Sequence, residues 1–214
     1  MLRNLVLGLT MIGLSTSASA LSFTYSPGAP DPGPLASQTW VVDYDSPLPA
    51  GVTLTGDYAI VTGSLPSVYA APAGNTTAFL TVPKSSSSGE ATIWVADWLP
   101  KAAKNFSFYW GSVDAYNALD LLDTDGNVFA TISGSSLPKP DGDQGAAMSN
   151  VRLFVSLDAG ESLGGLTFRS TSYAFEHDDL AFGVVPEPAT WSMLLAGFGL
   201  IGFAARRRGR AVAC

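Results

Sequence analysis

The chain has 214 residues, with 18 acidic and 11 basic side chains and a net charge of −7. Only 14% of the residues are charged and 47% are hydrophobic, which excludes a disordered charged tail. The single cysteine excludes a disulfide scaffold. Nucleic-acid-binding domains carry an excess of Lys and Arg, so nucleic acid is not an expected partner.

The first 20 residues have the pattern of an export signal. Arg3 precedes an apolar run over residues 5–14, which has the length of a signal h-region. Ala18 and Ala20 are small residues of the kind that signal peptidase requires at its cleavage site. We predict a signal peptide over residues 1–20, cleaved after Ala20. The alternative, an N-terminal membrane anchor, is disfavoured because the run is short for a bilayer span.

Residues 21–183 are predicted to form one domain made of strands. The candidate segments are short, rich in β-branched and aromatic residues, and separated by Pro, Gly and Ser clusters. Alternation along residues 105–110 places Phe106, Phe108 and Trp110 on one face. The spacing predicts an all-β fold, a single β-sandwich or jelly-roll-like domain. The predicted strands are 39–44, 59–62, 78–82, 91–95, 105–110, 118–122, 128–132, 151–157, 166–170 and 173–182.

This predicted mature region is more acidic than the whole chain. It contains 14 Asp and 3 Glu against 4 Lys and 2 Arg, which gives a net charge near −11. An acidic surface repels polyanions and attracts cations, including calcium. We therefore expect partners other than nucleic acid.

Two pairs of aspartates are candidate calcium ligands. Asp123 and Asp125, followed by Gly and Asn, match the opening of a calcium loop. The closing glutamate of an EF-hand is missing because position 134 is Gly, and an Asp-Gly hairpin turn is the competing interpretation. Asp178 and Asp179, on the last predicted strand, form the second pair. Structural calcium is thus a hypothesis, and no other cofactor is predicted.

The sequence provides no recognisable catalytic constellation. His177 is the only histidine, no Gly-x-Ser-x-Gly elbow occurs, and the predicted mature region lacks cysteine. We expect His177 to be solvated at a strand edge, and a common zinc site would need further His or Cys ligands. With 17 carboxylates in the region, some pair must lie at glycosidase spacing by chance. We predict a non-enzymatic protein, with a glycan hydrolase that uses a carboxylate pair as the alternative.

Tryptophan provides the remaining candidate binding surface, because exposed aromatic rings stack on sugars. Trp40, Trp94 and Trp110 lie in predicted strands and are expected in the core. Trp98 is followed by Leu and Pro in a loop-like stretch, so we place it at the surface as the candidate glycan-stacking residue.

The last 30 residues have three distinct parts. A rigid Pro-Glu-Pro tripeptide is followed by an uncharged run over residues 189–205, near the lower length limit of a transmembrane helix, and then by arginines. The arginines would stay cytoplasmic and the tryptophan would lie at the opposite interface. The residues are Pro186, Glu187, Pro188, Trp191, Arg206, Arg207, Arg208 and Arg210.

These three parts together resemble the PEP-CTERM sorting signal, in its variant with Trp three residues after the second proline. The resemblance covers residues 185–210. It implies recognition by an exosortase, a membrane-embedded cysteine transpeptidase-like enzyme of Gram-negative bacteria that make exopolysaccharide. It also implies processing near Pro186–Pro188 and release of the transmembrane helix. A permanent membrane anchor is the alternative.

Two segments of the middle region resemble exosortase-dependent surface proteins. They are residues 110–117, with the sequence WGSVDAYN, and residues 175–182, with the sequence FEHDDLAF. We therefore expect an exported protein that is held transiently in the membrane and then delivered to the cell surface or extracellular matrix. Signal peptidase and exosortase are its expected processing partners, and exopolysaccharide is a possible ligand.

Overall fold

The computed structural model of the chain describes residues 21–84, 86–100, 102–158, 160–184 and 197–198. The predicted signal peptide, with Ala18 and Ala20, lies outside these residues, as do the Pro-Glu-Pro tripeptide, Trp191 and the arginine cluster. Among the residues described, no helix is long and apolar enough to cross a membrane.

The described residues form an all-β domain with two antiparallel sheets. Two 3-10 turns, Gly134–Ser136 and Ala147–Ser149, lie between the ninth and tenth strands. The strands are β1 (Ser22–Pro27), β2 (Gln38–Val42), β3 (Thr53–Gly56), β4 (Ala59–Val61), β5 (Phe79–Val82), β6 (Gly89–Trp94), β7 (Ala103–Gly111), β8 (Asn117–Leu122), β9 (Val128–Ser133), β10 (Val151–Ser156), β11 (Gly165–Ser170) and β12 (Phe175–Val184).

Strand order places β12 inside the larger sheet. That sheet runs β1-β10-β7-β12-β5-β4, and β2 also pairs with β12. The smaller sheet runs β3-β6-β11-β8-β9. Two antiparallel sheets enclosing an apolar core are consistent with the predicted sandwich. Each predicted strand overlaps an observed one, whereas β1 and β3, which lie at sheet edges and are largely exposed, were not predicted.

Aromatic side chains from the two sheets form the core. Phe106, Phe108 and Trp110 are fully buried on one face of β7, which confirms the predicted alternation. Phe108 contacts Phe168 of the opposite sheet, with ring centroids 5.7 Å apart. Trp110 stacks on Phe175 at 4.3 Å. Burial of such rings provides the main apolar driving force for folding.

The outer face of the larger sheet is covered as well, by the loops at residues 28–37 and 62–78. The Tyr109 hydroxyl lies 2.7 Å from both the Gly28 and the Ala73 carbonyl oxygens and can donate its one hydrogen to either, so it contacts both loops from β7. Close packing is possible because position 111 is Gly: a Cβ there would lie 2.7 Å from Pro72. The polar side chains on this face therefore lie in a buried layer.

Candidate functional site

Two cavities lie in the loop-covered face of the larger sheet. Glu176 and Asp178 alternate with the inward-facing His177 along β12 and therefore lie on that face, one in each cavity. The larger cavity, here called the Glu176 cavity, has a volume of about 340 Å³. The Asp178 cavity has a volume of about 240 Å³.

The connection between β7 and β8 builds one wall of the Glu176 cavity. Ser112 has a φ of 34°, a strained value for a residue with a side chain, and its N–H donates to Asn150 Oδ1 at 3.0 Å. Asp114 pairs with Asp141 in an isolated bridge. The Asp114 carboxylate packs directly against Gly142. A Cβ at position 142 would lie only 2.6 Å from Asp114 Oδ1, so a larger residue there would clash.

Glu176 lies at the base of this cavity and is 2% exposed. Its Oε1 accepts a hydrogen bond from the Ala70 N–H at 2.8 Å, and its Oε2 accepts one from the Ser112 hydroxyl at 3.3 Å. Burial, with a smaller contribution from the nearby Asp114 carboxylate, raises the pKa of Glu176 to about 7 despite these bonds. This group therefore titrates near neutral pH.

Asp114 is the second carboxylate of the cavity. Burial raises its pKa, with a smaller opposing effect from the Tyr116 hydroxyl and a smaller supporting effect from Asp141. Tyr116 itself donates to the Tyr173 carbonyl at 2.5 Å. Among the described lining residues there is no Lys, Arg or His. Two carboxylates with raised pKa values and no cationic partner can serve either acid–base chemistry or cation binding.

Asp178 and Asp179 lie in the other cavity. Asp178 Oδ1 accepts from the Asp179 N–H at 2.8 Å, and its Oδ2 accepts from Asn75 Nδ2 at 2.6 Å. Burial and then the Asp179 carboxylate raise the pKa of Asp178 to about 8. Asp179 has a φ of 51° where β12 and β7 shift register, so a β-bulge re-aims this side chain.

The two pairs of aspartates that were predicted as calcium ligands lie on different sheets. Asp123 and Asp125 belong to the β8–β9 hairpin of the smaller sheet, whereas Asp178 and Asp179 lie on the larger sheet. In the described part of the chain, no three His, Cys, Asp or Glu side chains are grouped to hold a metal ion. Calcium binding thus stays a prediction.

The Asp123 carboxylate is used by its own hairpin. Its Oδ1 accepts from the N–H groups of Asp125 at 2.9 Å and Asn127 at 2.8 Å, and its Oδ2 accepts from Asn127 Nδ2 at 3.1 Å. Gly126 provides the positive φ of 87° that the turn needs. These hydrogen bonds are the ones expected if Asp123 stabilises the hairpin turn, which is the alternative to calcium binding.

This hairpin gives a direct test of the turn interpretation. We expect Asp123→Ala to lower the Tm by a few degrees because the turn loses its side-chain acceptor. Asp125→Ala is the matched control and should change the Tm little, since no hydrogen bond to the Asp125 side chain is found in the described residues. The comparison is made by thermal unfolding with EDTA and with calcium. A calcium-induced rise in Tm that both substitutions abolish would contradict the turn interpretation.

The expectation for His177 is wrong. Its side chain is fully buried and stacks on Phe168 of the opposite sheet, with ring centroids 3.8 Å apart. Its Nε2 lies 3.4 Å from the Tyr44 hydroxyl, and burial lowers the pKa of His177 to about 3. β12 is a central strand that pairs with β7, β5 and β2, and His177 faces the core between the two sheets, whereas the sequence alone had suggested a strand edge.

Tryptophan placement differs from the expectation in part. Trp110 is in the core, and Trp40 and Trp98 are partly buried and pack against it. Trp94, also expected in the core, is half-buried and lies outside the core cluster. Trp98 contacts Trp40 edge-on at 5.3 Å and Phe182 at 6.0 Å. A glycan could reach only the exposed part of the Trp98 ring, so its stacking role stays a prediction.

Sequence reasoning did not single out Glu176, Asp114 or Tyr116 as site residues. All three lie in the two segments, 110–117 and 175–182, whose resemblance to exosortase-dependent surface proteins was noted above. The structure brings these segments together as walls of the Glu176 cavity. Their convergence is the signal that could have identified the site.

Comparison with known proteins identifies the sorting segment. Residues 184–208 match the family model of the PEP-CTERM protein-sorting motif. The chain therefore carries a PEP-CTERM protein-sorting motif, which supports exosortase-dependent export to the surface or the extracellular space. The predicted sorting signal is confirmed.

The described domain has a structural neighbour among solved structures, and the chain has no match among curated proteins. One solved structure, the crystal structure of the bacteriophage CBA120 tailspike protein 4 enzymatically active domain, is similar with a TM-score of 0.38 and 15% identity. The match covers 64% of this chain and 20% of the tailspike chain. The chain thus spans about a fifth of the length of that protein.

Proposed function

We propose that this chain is an exosortase-processed protein of the cell surface or extracellular matrix, whose mature domain is non-enzymatic and binds exopolysaccharide. The observation that carries the proposal is the sorting motif at residues 184–208. Signal peptidase would remove residues 1–20, and the C-terminal helix would hold the chain in the membrane only until processing.

The position of the motif supports processing without damage to the domain. Strand β12 ends at Val184, and the Pro-Glu-Pro tripeptide begins two residues later. The described strands are therefore complete before the tripeptide, and cleavage near it would leave every described pairing of β12 intact. Release of an intact domain is what a surface or matrix role requires.

A glycan hydrolase is the second candidate function, because the Glu176 cavity holds a carboxylate pair with raised pKa values. Both oxygens of Glu176 already accept hydrogen bonds, which favours a fixed acceptor over a mobile proton donor. Turnover of a polysaccharide by the purified chain, lost in Glu176→Gln, would establish the hydrolase and contradict the non-enzymatic proposal.

Replacement of Pro186, Glu187 and Pro188 by alanine tests processing. We expect the wild-type chain in the producing bacterium to begin at Leu21 and to lack the arginine cluster. The triple variant should keep its C-terminal end and stay in the membrane fraction, because the exosortase loses the motif that it recognises. Mass spectrometry of both termini measures this. An intact Cys214 end on wild-type surface protein would instead support the permanent anchor.

Retention on the producer's exopolysaccharide tests the binding part of the proposal. The released protein should be retained on the immobilised polysaccharide, first with calcium and then with EDTA. Loss of retention in EDTA would support a structural calcium ion at Asp178 and Asp179. Absence of retention in both buffers would contradict exopolysaccharide binding while leaving the processing result unaffected.

A further inference from the structure

We infer that the Glu176 cavity binds a sugar residue carrying a free, protonated amine. This inference rests on the proposed exopolysaccharide binding, because it names the sugar chemistry that the domain would recognise. It uses residues that no comparison assigns to a site.

The shape of the cavity suits one or two sugar rings. Its volume of about 340 Å³ is within the range of small-molecule sites. Ser67, Asp141 and Gln144 are exposed at its rim, whereas Glu176 is buried at its base. A ligand can thus enter from solvent and reach a desolvated carboxylate.

The negative charge of the cavity favours a positively charged ligand. Asp141 already has a cationic neighbour, since Lys139 Nζ lies 3.4 Å from its Oδ2. Asp114 and Glu176 have none among the described lining residues, and Glu176 is 98% buried because its exposure is 2%. Their mutual repulsion contributes to the raised pKa of Glu176. A bound positive charge would relieve that repulsion.

An ammonium group fits this charge better than a metal ion does. Calcium takes six to eight oxygen ligands, and no group of three potential metal ligands occurs in the described residues. The Glu176 carboxylate uses one lone pair to accept from the Ala70 N–H and another to accept from the Ser112 hydroxyl. An ammonium needs only three acceptors and brings its own donors, so the lone pairs that remain on Glu176 and Asp114 are sufficient.

Tyrosines make the cavity suitable for a sugar that carries this ammonium. Tyr69, Tyr116 and Tyr173 all belong to the lining. The Tyr69 ring packs edge-on against Phe79, with centroids 6.2 Å apart, and is therefore held in place. Tyrosine rings bind both the apolar face of a pyranose and a nearby cation. A neutral sugar could donate its hydroxyl groups to the carboxylates, but it would leave their negative charge uncompensated.

Isothermal titration calorimetry of the full chain, kept in a polyoxyethylene detergent without sugar head groups, tests the inference. The probes are methyl β-glucosaminide, its N-acetyl derivative and methyl β-glucoside. We expect the sugar with the free amine to bind at least about tenfold more tightly than the other two, because those two cannot form the charge-assisted hydrogen bond to the carboxylates. Equal affinity for the three sugars would overturn the inference.

Variants assign the binding to this cavity. Glu176→Gln and Asp114→Asn should each weaken binding of the amino sugar about tenfold, because each removes one negative charge. Asp125→Asn, on the exposed hairpin, is the matched control and should bind like the wild type. Circular dichroism confirms that each variant is folded, and Glu176→Gln preserves both hydrogen bonds of the native side chain. Wild-type affinity in both cavity variants would overturn the inference.

The same variants separate this inference from the proposed function. Exopolysaccharide retention that persists unchanged in Glu176→Gln and Asp114→Asn would overturn the amino-sugar site and leave the proposed function standing. Loss of retention in both variants, with Asp125→Asn retained, would support the site. Displacement of the amino sugar by calcium, with calcium binding lost in Glu176→Gln, would replace it by a metal site.

Discussion

Arg152→Met should cost about 3–5 kcal/mol of unfolding free energy, the typical effect of removing one partner from a buried ion pair. Arg152 is fully buried beneath the loop at residues 28–37. Its Nη1 lies 2.5 Å from Asp31 Oδ2, its Nη2 donates to the Asp179 carbonyl at 2.7 Å, and its Nε donates to the Ser107 hydroxyl at 3.1 Å. Methionine fills the volume but leaves these three acceptors without their donor.

The measurement is urea unfolding, with the Tm as a second readout. For a domain of this size, the loss corresponds to a fall in Tm of roughly 10 °C. Lys139→Met is the control, because Lys139 pairs with Asp141 and Asp143 at the surface, where its side chain is 38% exposed and theirs are 50% exposed. The control should change the stability little, since both partners stay solvated. Equal costs for the two variants would show that the buried layer under the loops does not stabilise the fold.

Glu176→Gln should stabilise the domain above neutral pH by up to about 3 kcal/mol, the free energy that corresponds to the raised pKa of Glu176, and leave it unchanged near pH 4.5. The folded pKa of Glu176, about 7, lies above its ordinary value of 4.5. Between these values the folded state binds more protons than the unfolded state, so stability falls as pH rises and then levels off above pH 7. Glutamine has no charge to desolvate, and its amide can accept from the Ala70 N–H and donate to the Ser112 hydroxyl.

Urea unfolding at pH 4.5, 6 and 8 measures this difference. The gain in Glu176→Gln should appear between pH 4.5 and pH 7 and stay constant above it. Glu90→Gln is the control, because the Glu90 side chain is exposed and its substitution should change stability little at each pH. A pH-independent difference between Glu176→Gln and the wild type would mean that packing, and not the buried charge, determines the effect.

The inward-facing half of the fold could be predicted from sequence. Alternation along β7 identified the buried aromatic face, and the Asp-Gly turn identified the β8–β9 hairpin. Both signals are local, because side-chain period and turn geometry depend on neighbouring residues. The edge strands β1 and β3 lack the apolar content that gives such a signal.

The outer half could not be predicted. A polar residue on an outward position, such as Glu176 or Arg152, normally faces water, and its sequence neighbours do not reveal that a distant loop covers it. Ala70 contacts Glu176 across 106 positions of sequence. His177 faces inward, and its burial was missed because it depends on the strands that pair with β12, which come from remote parts of the chain. Glu176, Asp114 and Tyr116 could be noticed in the sequence only as members of the two segments that resemble exosortase-dependent surface proteins.

Strand β12 also determines how the domain would respond to pulling. The sorting motif continues from its C-terminal end, so tension on a membrane-held chain enters the larger sheet through this strand. Strands β7, β5 and β2 all pair with β12, and antiparallel hydrogen bonds run perpendicular to the strands. A force along β12 therefore shears many bonds at once, whereas a force on the edge strand β1 could peel its bonds in succession. A chain held through its sorting motif would therefore load a strand that has pairing partners on both sides.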